Sequence, residues 1–190
     1  MIRATIEDKD LMISILSKAF MEEKSVNYMI WHDKNREKRV RALVSYSIDV
    51  CIMFGELWLA DNRQACALIL YHNQVCVNRR TIMLDLRFVA KVCGIGGVIK
   101  MLRWSAMLKK TMPLKDIAYL WFIGVNPDSQ NKGIGSQLLT EILARTRELN
   151  LPVYIETSTV ENLPWYKRFG FEIYNKRNLG YELFFLKREF

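Results

Sequence analysis

Between an apolar run ending at Val125 and a helix-patterned run lie Gln130, Asn131, Lys132, Gly133, Ile134, Gly135 and Ser136. The first turn of an α-helix carries N–H groups with no partner inside the helix, and with the helix dipole these attract an anion. Glycines at such a start let a phosphate reach the main chain, and Lys132 adds a cation. Two familiar phosphate loops are excluded by spacing. A P-loop places its lysine directly after a glycine, whereas Lys132 precedes Gly133. A dinucleotide fingerprint needs a third glycine where Leu138 stands. The upstream cluster Gly94, Gly96 and Gly97 follows no buried strand and has Ile99 at the third position, so it reads as a bend, a loop or a helix interruption.

The elements that must position this turn follow from periodicity. "IAYLWFIGV" (117–125) is a continuous apolar, β-branched and aromatic run, the pattern of a strand buried on both faces. After the turn, Ile134, Leu138, Leu139, Ile142, Leu143 and Leu149 recur at helical spacing, and Asn150 is placed to close that helix in a left-handed conformation. "PVYIETS" is a further strand. "NLPWYKRF" is a short helix with Pro164 in its first turn, and "FEIYN" and "YELFFLKR" are closing strands. Upstream, an amphipathic helix is expected from Asp8 to about Tyr28, capped by Asp8 or Asp10, and a second from Asn35 to Met53. "GELWLAD" and "ACALILYH" pair through Asp61–Gln64, and residues 80–110 are helical again around the glycine cluster. This order predicts an α/β chain with a mixed sheet and helices on its faces, in a single domain over 1–190.

Of the 190 residues 51% are hydrophobic and 25% charged, a globular balance. The net charge of +8 concentrates in "KNREKRVR" (34–41) and around Lys109 and Lys110. A solvated helix face, a nucleic-acid surface and a small polyanionic ligand would each suit it. The first cluster lacks interleaved aromatics and any RNA motif, so no nucleic-acid partner is expected. Cys51, Cys66, Cys76 and Cys93 have no C-x-x-C spacing and there are two histidines, so no metal is expected and the thiols should be reduced. No secretory signal and no membrane span is seen, which predicts a cytoplasmic protein without a membrane partner.

Gln130-Asn131-Lys132-Gly133-Ile134-Gly135 resembles the Q/R-x-x-G-x-G/A signature of the GNAT superfamily of acetyl-CoA-dependent N-acetyltransferases. "ENLPWYKRFGFEIY" is similar to that superfamily's N-x-x-x-Y-x-x-x-G-F element, in the right order along the chain. The joint match covers about residues 118–186, and "IETSTVENLPWYKRFGFE" further resembles small-molecule acetyltransferases of the puromycin N-acetyltransferase kind. The resemblance implies a mostly antiparallel central sheet splayed between two parallel strands, with helices on both faces.

It also implies roles. Amides of Lys132 through Ser136 would hold the pyrophosphate of acetyl-CoA, with Gln130 and Asn131 beside it, and main chain of Ile123, Gly124 and Val125 would pair with the pantetheine arm. Gly124 permits a close approach or is a plain bulge. A backbone N–H near Val125 would stabilise the oxyanion as an amine attacks the thioester. Asn162 would cap its helix and touch the arm, and Tyr166 would donate a proton to the leaving thiolate or simply pack on the sheet. Glu156 or His72 would take the amine's proton, unless each is an ordinary polar strand residue. Trp58, Trp104 and Trp121 would line an acceptor pocket or pack in the core. The implied activity is acetyl transfer to a primary amine of a small molecule. A non-catalytic acyl-CoA-binding module and a basic nucleic-acid-associated protein are the competing readings. Aromatics near the closing strands would suit a homodimer.

Overall fold

Strand β1 (Ile2–Arg3) and helices α1 (Lys9–Ala19), α2 (Lys24–Met29) and α3 (Arg36–Phe54) precede a hairpin of β2 (Gly55–Leu59) and β3 (Ala65–Tyr71). Helices α4 (Arg79–Phe88) and α5 (Gly94–Thr111) lead to β4 (Ala118–Val125), α6 (Ile134–Glu148), β5 (Val153–Thr157) and α7 (Leu163–Arg168). The chain closes with β6 (Glu172–Asn178) and β7 (Glu182–Arg188). This computed structural model describes residues 1–112 and 116–190, with main chain alone at 95 and 96. The strands form one sheet in the order β1-β2-β3-β4-β5-β7-β6. β4 and β5 run parallel and the other neighbours antiparallel.

Apolar residues at helical spacing decide which face each helix covers. Met12, Leu16, Val44 and Ile48 of α1 and α3 bury against Leu57, Leu68 and Phe122 on one face. Leu138, Leu139 and Ile142 of α6 bury against Leu120 and Ile155 on the other. The predicted two-faced α/β arrangement is therefore present, and the expected hairpin turns at Arg63, which has φ +56°.

Several expectations need correction. The helix expected over 8–28 is two helices: it breaks after Ala19, and α2 starts at Lys24. Asp8 holds the N-cap position of α1, but its side chain makes no capping bond to that helix. Thr5 opens a preceding short turn, and Asp8 returns its carboxylate to the Thr5 N–H at 2.9 Å. β1 was not expected, because two residues carry no periodic signal; they pair with Trp58 and Leu59. At the upstream glycines a wide helical turn over Val89–Cys93 meets α5 at Gly94, whose φ is +61°. A side chain there would be strained, so Gly94 marks the helix interruption.

Two features of β4 open the sheet. It pairs with β5 only at Ala118 with Val153 and Tyr119 with Tyr154, after which the strands diverge. On its other edge, Phe122 faces Leu68 and Leu120 faces Ile69, leaving Trp121 as an extra residue. Such a bulge bends its strand and increases local twist.

Candidate active site

The glycine turn sits where β4 ends. A short turn over Pro127–Ser129 is pinned by Gln64. Its carbonyl accepts from the Asn126 N–H at 2.8 Å, and its side-chain oxygen accepts from the Asn126 amide at 3.0 Å and the Ser129 hydroxyl at 3.2 Å. The chain reverses through left-handed conformations at Asn131 (φ +60°) and Gly133 (φ +79°), and the first helical bond runs from the Gln137 N–H to the Gly133 carbonyl at 2.9 Å. Among the described residues the N–H groups of 132–136 find no acceptor, and a Cβ on Gly133 would meet nothing within 4 Å. Such a bare, donor-rich hollow fits a phosphate or pyrophosphate. Gln130 folds back with its amide 3.4 Å from the Val125 carbonyl, and the Lys132 ammonium donates to the Asp128 carbonyl at 3.0 Å. From α7, the Trp165 indole donates to the Ser136 hydroxyl at 3.0 Å, which ties the two helix starts together.

Beyond Tyr119 the β5-facing edge of β4 is free, and strand alternation says which groups it offers. Because the Asn126 N–H bonds to Gln64 on the β3 side, main-chain groups of Gly124 and Phe122 also face β3. Those of Ile123 and Val125 face the gap, where an extended amide-bearing arm can pair as an added strand. Gly124 was expected to serve close approach of a ligand or to be a bulge. The bulge lies at Trp121, and Gly124 instead makes room for α1: a Cβ would stand 2.8 Å from Leu16 Cδ2, 3.2 Å from Phe20 and 3.3 Å from Ala19.

The gap opens into a cavity of about 550 Å³ lined by Ile123, Glu156, Asn162 and Tyr166 at the slot, with α5 and the bulge of β4 behind them. Tyr166 is 4% exposed, and its hydroxyl makes no hydrogen bond among the described residues. Burial, and then the Glu23 carboxylate, hold its phenol well above the ordinary value, so it is protonated at neutral pH. Glu156 Oε2 is buried without a hydrogen-bond partner, as is the Tyr119 hydroxyl. Burial pushes the Glu156 carboxyl up to about 7, against a smaller opposing effect of the Tyr119 phenol. His72, just past β3, lines the same cavity.

Not every sequence-derived residue stands as expected. Asn162 occupies the first position before α7, but its side chain makes no capping bond and is left free at the slot. Trp104 and Trp121 line the cavity, whereas Trp58 packs on the opposite face, its indole donating to Glu56 at 3.1 Å. Sequence reading missed Glu23. In the break between α1 and α2 it accepts from the Ser158 and Thr159 hydroxyls, each at 2.5 Å, and fastens that break to the end of β5 beside Tyr166. It lies in the run "MEEK", where nothing in the spacing separates it from surface charge. Among the described residues no group of His, Cys, Asp and Glu is arranged to hold a metal, and no helix is long and apolar enough to cross a membrane.

Residues 85–173 match the family model described as an acetyltransferase (GNAT) domain. An uncharacterized N-acetyltransferase of Schizosaccharomyces pombe is 38% identical over 53 residues, which is 28% of this chain and 22% of that relative. The chain thus matches about a fifth of that relative's length. Among solved structures, a Corynebacterium glutamicum protein described as histone acetyltransferase HPA2 and related acetyltransferase superposes with a TM-score of 0.74 at 18% identity, over 99% of this chain and 94% of its own. The C-terminal condensation domain of Ebony, in complex with beta-alanyl-dopamine, gives 0.70 at 8% identity, over 100% and 97%. At such identities these structures establish the fold.

Proposed function

From a chain that belongs to the GNAT superfamily, we propose an enzyme that transfers an acetyl group from acetyl-CoA to the primary amine of a small molecule. The observation that carries this reading is one continuous path. It runs from the unpartnered amides of residues 132–136, along the free edge of β4, into the cavity holding Glu156 and Tyr166. Amides 132–136 would bind the pyrophosphate, with Gln130, Asn131 and Lys132 beside it. Ile123 and Val125 would align the arm, and Asn162 would touch it where the arm enters the cavity.

The acceptor arrives as an ammonium ion and must lose a proton before it can attack. Glu156 takes that proton, with His72 the second group on the cavity wall able to do so. The amine's lone pair then attacks the thioester carbonyl carbon. A C–N bond forms, the C–S bond breaks, and the Val125 N–H faces the oxygen that gains charge. The Tyr166 hydroxyl gives its proton to the departing thiolate and regains one from the nitrogen as the amide forms. Ammonium and thioester become amide, thiol and one released proton, so the step balances.

The test is a melting curve with and without acetyl-CoA, followed by thiol release with a panel of amines. Stabilisation by acetyl-CoA together with thiol release from a primary amine is expected. Absence of any thermal shift would remove the acetyl-CoA site, and a shift without release from any amine would make the chain a non-catalytic acyl-CoA-binding module.

A further inference from the structure

The cavity beside Tyr166 has two unlike parts. Away from the slot its wall is apolar and soft: Met101, Trp104 and Leu108 succeed one another at helical spacing along α5, Met112 follows just past its end, and Trp121 and Leu70 line it from the sheet. Its polar part is sparse, and most of it is already engaged. Of the carboxylates on the wall, Glu23 has both oxygens taken by the Ser158 and Thr159 hydroxyls. Asp85, exposed on α4, accepts from the Tyr46 phenol through one oxygen at 2.7 Å. Glu156 differs in that its Oε2 is buried and has no hydrogen-bond partner. Lys109 also borders the space and would oppose a second positive charge.

Resting on the transferase reading above, we infer that the acceptor is a hydrophobic monoamine, an alkyl- or arylalkylamine, with its nitrogen at Glu156 and its body between α5 and the bulge of β4. A buried cation needs a partner, and among the described carboxylates of this cavity Glu156 has the buried oxygen left without one. A polyamine would set its second ammonium among Met101, Trp104 and Met112 with no anion beside it. A sugar-like amine would leave its hydroxyls unbonded against the same wall. A cavity of about 550 Å³ lies inside the range of about 300–1,000 Å³ that encloses molecules of drug size, enough for an aromatic ring on a two-carbon stem. Methionines in the wall let it fit either a ring or a chain.

The inference is read from kcat/KM for thiol release across ethylamine, butylamine, hexylamine, phenethylamine and spermidine. Each methylene buried should raise kcat/KM about threefold to fourfold, phenethylamine should exceed ethylamine by at least about thirtyfold on the same scale, and spermidine should fall below hexylamine. A flat series, or spermidine at or above hexylamine, overturns the inference and leaves the transferase reading standing. A thermal shift with acetyl-CoA but release from no amine removes both. Trp104→Ala should cut the advantage of phenethylamine over ethylamine by about tenfold; equal losses for the two amines count against the inference. Should that variant fail to fold, Met101→Glu decides. An added carboxylate in the wall should shift preference toward spermidine, and an unchanged preference overturns the placement of the acceptor body.

Discussion

Tyr119 of β4 and Tyr154 of β5 are the last residues at which the two parallel strands pair. From that point the edges separate, one offering main-chain groups of Ile123 and Val125 and the other carrying Glu156 toward the cavity. The glycine turn lies at the far end of the free edge of β4, and Tyr166 stands on the cavity wall between them.

Gly133→Ala adds a methyl in open space above the unpartnered amides, at a residue with φ +79°. The backbone strain should cost about 1–2 kcal/mol of stability in urea titrations. Affinity for coenzyme A should fall at least about tenfold, because the methyl fills the hollow a phosphate needs. An unchanged dissociation constant would show that the turn is not the pyrophosphate site.

Gly124→Ala should do the reverse. Its methyl would press on Leu16, Phe20 and Ala19 of the α1 segment, so stability should drop by about 1–3 kcal/mol from overpacking. Affinity for coenzyme A measured well below the melting point should hardly change, since the Gly124 main chain faces β3. A large loss of affinity with normal stability would contradict that assignment.

Tyr166→Phe removes a hydroxyl that makes no hydrogen bond among the described residues, so the melting temperature should stay close to that of the parent. Thiol release should slow by about a hundredfold or more in kcat, with KM for acetyl-CoA little changed. Full kcat across the pH range would exclude the phenol as the proton donor.

Glu156 links activity and stability to pH. In the folded protein its carboxyl holds a proton up to about pH 7, whereas the unfolded chain releases it near 4.5. Between those values the native state binds more protons, so the contribution of Glu156 to stability falls as pH rises through that window and stays reduced above it. Glu156→Gln should therefore melt close to the parent at pH 4.5 and several degrees higher at pH 8. In the parent, kcat/KM should rise through about pH 7 as the carboxylate forms. The variant should lose that inflection and at least about a hundredfold in rate. A variant that melts lower at pH 8, or keeps the inflection, would refute this role.

Local pattern alone was enough for much of the architecture. The run 117–125, the helical spacing from Ile134 to Leu149 and the glycines between them specify strand, turn and helix through short-range sterics and hydrogen bonding. Asn150, at φ +53°, closes α6 as its position suggested. The motif around Asn162 and Tyr166 was legible for the same reason, being contiguous in the chain.

The remaining features depend on residues far apart in sequence. Glu23 becomes part of the site through hydroxyls more than a hundred positions away. Gly124 is required because α1 crosses it, and Trp58 is parted from Trp104 and Trp121 by the sheet itself. The raised Glu156 carboxyl follows from burial, which outweighs the opposing Tyr119 phenol and which no spacing records. Sequence determined where an anion can meet a bare helix start, because that geometry is built within a dozen neighbouring residues. Only the tertiary structure decided what lines the cavity, because its wall joins α5, β4 and β5, and burial there sets which polar group is left without a partner.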